Sequence, residues 1–313
     1  MRAFALLLCL LLCPLVATAD ERLIWQPLNS DARLSEAQWR QIWRASARQG
    51  VHTVIVQWTR FGDERFGESG GWLAEALRAA RAEGLALVLG LYYDPDYYQQ
   101  MSERDDVAFY WHQQLGLSLE QARRIERDWQ LPIAGWYLPM ELDDWNFRDA
   151  SRRVELQRQL SSFAMQLGRP LHLSAYSGGF LAPQPFAAWL DDIAAQGIEV
   201  WWQDGVGTAA LAPLVRLAYA SALPCRVGVI REAFRQISGE GEPFAALPGT
   251  PLPAPICHAS AVFELRYRPW GLLLYEKPET FNGERSGEQL LLRGMPQLPV
   301  SDLRAGELGA IAK

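Results

Sequence analysis

The chain alternates between short apolar runs and longer amphipathic ones. Leu23–Leu28, Val51–Trp58, Leu85–Tyr92, Ile133–Leu138, Leu171–Ala175, Ile198–Trp202, Arg226–Ile230 and Gly271–Tyr275 are short and mostly apolar. Such runs predict buried strands. Between them lie segments with apolar residues at helical spacing: Glu36–Arg48, Trp72–Ala82, a long region from about Asp105 to Asp128 broken near Gly116, then Asp149–Leu167, Phe186–Ala195, Thr208–Ala222 and His258–Arg266. Ser35 has the position of an N-cap, and Gly50, Gly84, Gly168 and Gly197 stand where helices should stop.

Strands that are apolar throughout, rather than on alternate positions, belong to a parallel sheet covered by helices on its faces. Eight strand–helix alternations fit an α/β fold of the (β/α)8 TIM-barrel kind, in a single domain, better than an open sheet. No glycine fingerprint for a dinucleotide follows the first strand. The expected organisation is a leader over 1–19, a barrel over 20–282 and a polar C-terminal tail over 283–313.

The leader changes the picture of where the protein works. Arg2 is followed by an apolar run, Ala3 to Val16, and then by Ala17-Thr-Ala19. That order reads as a cleavable signal peptide with cleavage near Ala19, hence a periplasmic or secreted protein. The run is too short for a good membrane span, and no stable span is expected after cleavage. Cys9 and Cys13 leave with the leader. Cys225 and Cys257 remain, to pair in an oxidising compartment or to stand as two separate buried thiols.

Composition narrows the partners. The net charge of −6 argues against nucleic acid, which calls for a basic surface. Thirteen Trp serve either as core filling or as flat platforms for sugar rings. The four His have no metal-like spacing, so neither a metal nor an organic cofactor is implied.

In a (β/α)8 barrel the chemistry sits at the C-terminal ends of the strands. Those positions hold Gln26, Gln57 and Trp58, Tyr92 and Asp94, Glu141, Tyr176, Trp202 through Asp204, Glu232 and Glu276. Carboxylates and aromatics dominate. That combination suits glycosidic-bond hydrolysis, which needs two carboxyl groups and flat walls for the sugar. Glu141 and Glu232 are the candidate catalytic pair. Gln26, Trp58, Tyr92, Asp144, Tyr176, Trp202, Asp204 and Glu276 are candidates for holding a carbohydrate substrate. Each has a plainer reading. Glu141 could cap a helix, and Glu232 could favour a helix N-terminus. Asp143 and Asp144 could organise a loop, Asp204 could make an Asx turn with Gly205, and the aromatics could be core. His172 in mid-strand reads as a buried structural histidine. Arg231 precedes Glu232, but neighbouring strand residues point to opposite sides and need not pair.

Carboxylates ending the fourth and seventh strands resemble the large superfamily of retaining glycosidases with (β/α)8 barrels. That resemblance implies Glu141 as acid/base and Glu232 as nucleophile. Three stretches, Gly135-Trp-Tyr-Leu-Pro-Met-Glu-Leu-Asp-Asp144, Gln203-Asp-Gly-Val-Gly207 and Glu232-Ala-Phe234, are similar to a bacterial family of glycoside-hydrolase-like barrels known as a domain of unknown function. The similarity covers roughly residues 22 to 282. Two positions depart from the pattern. Met140 stands where the superfamily usually has Asn before its fourth-strand Glu, and Ile230 stands where the narrower family has Asn two residues before its seventh-strand Glu. These departures leave two outcomes open: altered specificity, or a non-catalytic carbohydrate-binding barrel. A scaffold role in an envelope complex is a third, and a large apolar patch away from the barrel mouth would mark it.

Overall fold

A computed structural model describes residues 21–239, 242 and 244–275. The leader, the tail and Glu276 lie outside the described residues. Eight parallel strands close into one barrel: β1 Glu21–Trp25, β2 Val51–Val56, β3 Ala86–Gly90, β4 Gly135–Asp143, β5 Leu171–Tyr176, β6 Glu199–Gln203, β7 Gly228–Glu232 and β8 Ser260–Phe263. Each strand pairs with its sequence neighbours, and β8 closes on β1 from Glu21↔Ser260 to Ile24↔Phe263. The α/β (β/α)8 architecture is therefore the one the alternation predicts.

Helices α1 Glu36–Arg48, α2 Trp72–Ala82, α3 Tyr97–Glu103, α4 Val107–Asp128, α5 Ala150–Leu167, α6 Pro183–Ala194 and α7 Pro213–Ala222 lie in the connections. Ser35 caps α1 by accepting from the Gln38 amide, and Gln38 returns the bond to the Ser35 amide, so orphan donors at the helix start are satisfied. Gly50 and Gly84 follow α1 and α2 at φ 88° and 87°, a left-handed turn that costs a side-chain-bearing residue strain.

Most of the tryptophan surplus is core. Trp25 on β1 packs against Trp39 and Trp43 of α1 and Trp72 of α2, with ring centroids 4.8 to 6.1 Å apart. His172 and Trp201 stack at 14°, and Trp201 donates to the His172 Nδ1 at 3.3 Å. Burial lowers the His172 pKa to about 4, which keeps the ring neutral and structural. Cys225 and Cys257 form a disulfide with Cα atoms 5.2 Å apart, joining the segments that lead into β7 and β8.

Three expectations about the chain change. The eighth strand is Ser260–Phe263, not Gly271–Tyr275, and no α-helix forms over His258–Arg266, where a single 3-10 turn at Leu265–Tyr267 follows the strand. Ser260-Ala-Val-Phe263 is buried at every position, whereas Leu272 and Leu273 are 53% and 42% exposed in a turn. An apolar run this short does not distinguish strand from helix by periodicity. The break near Gly116 is also absent. α4 runs through it, and α3 is a separate short helix before it.

Candidate functional site

The fourth strand carries an irregularity where Glu141 sits. Leu138 pairs with Leu173 and Leu142 with Ala175, so two extra residues are bulged out of β4 between these pairs. Pro139, which cannot donate to the ladder, lies inside that bulge, as do Met140 and Glu141. Bulges re-aim side chains at barrel rims. Here the bulge presents Glu141 to the mouth.

Glu141 is 6% exposed, and both its carboxyl oxygens are held. Oε2 accepts from the Tyr98 hydroxyl at 2.6 Å, and Oε1 accepts from Gln203 Nε2 at 2.7 Å. Tyr97 donates to the Glu141 carbonyl at 2.8 Å, which fastens α3 over the strand end. Burial holds the Glu141 carboxyl above its ordinary range, against the opposite pull of the Tyr98 and Gln203 hydrogen bonds.

Glu232, the last residue of β7, is 2% exposed. Both its protein hydrogen bonds fall on one oxygen: Oε2 accepts from the Gly207 amide at 2.6 Å and from the Thr208 amide at 3.1 Å. Gly207 fits because a side chain there would meet the Phe234 carbonyl at 2.6 Å. Burial first, and the Asp204 carboxyl second, push the Glu232 pKa up to about 8. The Glu141 charge adds a smaller push in the same direction, which links the two glutamates electrostatically. Neither has an ion-pair partner among the described residues. Arg231 points away, to Ser260, Leu252 and Glu21.

Asp204 joins this pair. Its Oδ1 accepts from the Val206 and Glu232 amides at 3.1 and 3.3 Å, while its buried Oδ2 has no partner among the described residues. Burial raises its pKa as well. The Tyr176 hydroxyl is likewise buried and unpartnered, and it lies within the field of Glu141 and Asp143. Buried polar atoms normally find partners. Two orphaned ones around a coupled pair of acids mark a place for something polar.

The other candidates separate. Asp144 is fully buried and accepts from four successive backbone amides, Gly178 to Leu181, at 2.6 to 3.1 Å. It clamps the loop after β5 and leaves no oxygen for a substrate. Trp58 and Trp202 are each 2% exposed and offer no open ring face. Trp58 stacks on Tyr93 and donates to the Pro27 carbonyl, and Trp202 donates to Ser177. Their parity on the strand puts them opposite Gln57 and Gln203. Gln26 is half-buried and accepts from Arg266 through its carbonyl. Tyr92 keeps a half-buried ring at the rim beneath Arg60, 4.9 Å away. Glu276 lies outside the described residues.

Tyr98 is absent from the sequence candidates, and Gln203 stands among the strand-end positions there but not among the substrate-holding candidates. Strand alternation carried its own signal for Gln203. Tyr98 stood inside the aromatic loop after the third strand, but nothing local tied it to Glu141.

Fold and site together define a (β/α)8 barrel with coupled, unpaired carboxyl groups at its mouth. The chain belongs to the family described as "Domain of unknown function (DUF4434)", which matches residues 23–260. It is 31% identical over 257 residues to "Uncharacterized protein YbcH" of Escherichia coli (strain K12), covering 78% of this chain and 86% of that one. Among solved structures it is similar to the Bacillus cereus spore cortex-lytic enzyme SleL (10% identity, TM-score 0.48, 82% of this chain and 74% of that one). It is also similar to the catalytic domain of the Paenibacillus polymyxa beta-amylase (8% identity, TM-score 0.43, 80% and 93%).

Proposed function

We propose that this protein is an exported glycoside hydrolase that acts on a poly- or oligosaccharide through Glu141 and Glu232, with retention of configuration. The observation that carries this reading is the pair itself: two buried carboxyl groups at the C-terminal ends of β4 and β7, the charge of Glu141 raising Glu232, with no cation paired to either among the described residues. Such a pair gives up its protons in two separated steps, so near neutral pH one member is an acid while the other is ionised. Glycosidic hydrolysis requires that division. The protonated member gives its proton to the leaving oxygen. The ionised member attacks the anomeric carbon, and water then releases the sugar with the first member acting as base. Tyr176, Asp204 and Tyr92 are the groups left to meet sugar hydroxyls and a ring face.

The superfamily resemblance gives the acid role to Glu141. The hydrogen bonds of the free protein favour the opposite resting state. Two donors, one on each oxygen, suit an ionised Glu141. Two amides on a single oxygen leave Glu232 Oε1 free to carry a hydrogen. Azide rescue decides the roles. In the variant lacking the nucleophile, azide yields a glycosyl azide of inverted configuration; in the variant lacking the acid/base, one of retained configuration.

The test of the function is the release of new reducing ends from a panel of bacterial and plant polysaccharides by the mature chain. Glu141→Gln and Glu232→Gln should each abolish release, and NMR of the first-formed anomer should show retention. Binding without release, unchanged in both variants, would instead make the protein a carbohydrate-binding barrel.

A further inference from the structure

Among the described residues, Trp145 is the tryptophan that stands out into solvent, at 38% exposure. It lies just beyond β4, four residues after Glu141. Phe180, 42% exposed, comes from the neighbouring loop after β5. The rings meet with centroids 4.7 Å apart at 60°, forming an open V at the barrel's C-terminal rim. At about 3.3 Å per strand residue, the Trp145 backbone is no more than about 13 Å from that of Glu141.

Exposed aromatics are usually loosely held, and these are not. The Trp145 amide is tied to Asp143 Oδ1 at 2.9 Å, and Asn146 binds both Asp143 oxygens. The Phe180 amide is one of the four that Asp144 holds, at 2.9 Å. Tyr219 on α7 braces the same loop through the Leu181 carbonyl. Two fully buried aspartates in sequence thus hold the backbone that carries two exposed rings from different loops. Core packing explains neither ring, and the rigidity is what a preorganised binding surface needs. Arg148 lies over the Trp145 ring, 4.0 Å from its centroid, and has no ion-pair partner among the described residues. Its guanidinium covers part of one face of that ring and brings five N–H donors against the apolar surface.

We infer that Trp145 and Phe180, with Arg148 against Trp145, form a distal subsite that stacks one pyranose ring of a saccharide chain extending from the barrel mouth. The apolar C–H face of the sugar lies on the rings, and its hydroxyls bond to the Arg148 fork. This rests on the carbohydrate reading of the Glu141–Glu232 site. The occupant is a sugar because the two loops that carry the platform leave the strands that deliver Glu141 and Tyr176 to the barrel mouth. The protein therefore prefers long chains to short ones.

The test uses trimers and hexamers of β-1,4-glucan, α-1,4-glucan and β-1,4-N-acetylglucosamine, with binding read by tryptophan fluorescence and cleavage by reducing ends. Trp145→Ala and Phe180→Ala should each weaken engagement of the hexamer about tenfold, leave the trimer unchanged, and keep the wild-type melting temperature. Trp145→Phe should recover most of the loss. Equal hexamer engagement by the wild type and the double variant overturns the subsite. So does a concentration-dependent dimer in sedimentation that Trp145→Ala abolishes, because the rings would then be covered by a second copy. Hexamer binding that depends on Trp145 but proceeds without cleavage leaves the subsite standing and removes the hydrolase reading. A wild type that engages no ladder overturns both.

Discussion

Two groups of buried acids sit at the C-terminal end of the barrel, and they are built on opposite principles. At the β8–β1 seam, Glu264 and Asp31 are fully buried around Arg266, whose guanidinium bonds to Glu264 and lies 3.5 Å from Asp31. Arg266 also donates to the Gln26 and Leu274 carbonyls, so most of its fork is used. Across the mouth, Glu141, Glu232 and Asp204 have amide, hydroxyl and side-chain amide donors instead of a paired cation. Burial is the leading influence on Glu264 and on Glu232, raising them to about 7 and about 8. The second influences differ in sign. For Glu264 it is Arg266, which pulls down; for Glu232 it is Asp204, which pushes up. A buried acid with its own arginine joins strands together. A buried acid beside another acid gains nothing for stability and is free to hold a proton for chemistry.

The sharpest way to break this contrast is to remove the cation. Arg266→Met leaves two buried carboxyl groups without compensation, and should cost about 3–5 kcal/mol in urea unfolding. A cost below about 1 kcal/mol would make the seam no different from the mouth. Next come Glu141→Gln and Glu232→Gln, each expected to lower polysaccharide turnover by at least about 100-fold without lowering the melting temperature. A variant that lost both turnover and stability would move that residue to the structural side. Asp144→Ala frees four part-buried amides and should cost about 1–3 kcal/mol. It should also weaken hexamer engagement as Phe180→Ala does, while leaving the seam untouched.

The smallest effect, at most about 1.4 kcal/mol per pH unit for one group, is on stability against pH. Folded Glu232 keeps its proton up to about pH 8, whereas the unfolded chain loses it near 4.5. Between those values the folded state binds more protons, so stability falls as pH rises. Glu264 contributes the same sign up to about 7. Glu232→Gln should make the pH profile of the melting temperature flatter, most clearly between pH 7 and 8.

What could be read from the chain follows from how local each signal is. Strand–turn–helix alternation is local, so the barrel and the positions of Glu141 and Glu232 at strand ends were legible. Ser260–Phe263 was not, because four residues carry too little periodicity and the Leu272-Leu-Leu274 run competes with them. Asp144 and Glu141 look alike in sequence. Only the amides of the loop after β5, 34 to 37 residues away, show that Asp144 holds backbone. Tyr98 reaches Glu141 across 43 residues for the same reason. The Cys225–Cys257 pairing, left open by the sequence, is closed by the approach of the β7 and β8 lead-in segments.

The most direct test is a carbon-13 NMR titration of the protein labelled at the glutamate side-chain carboxyl, with Glu232→Gln, Glu141→Gln and Glu264→Gln used for assignment. Glu232 should titrate with a midpoint near 8, and Glu141→Gln should lower that midpoint by removing a charge that raises it. Both glutamates titrating independently near 4.5 would contradict the account, because an uncoupled, readily ionised pair has no member to serve as the acid.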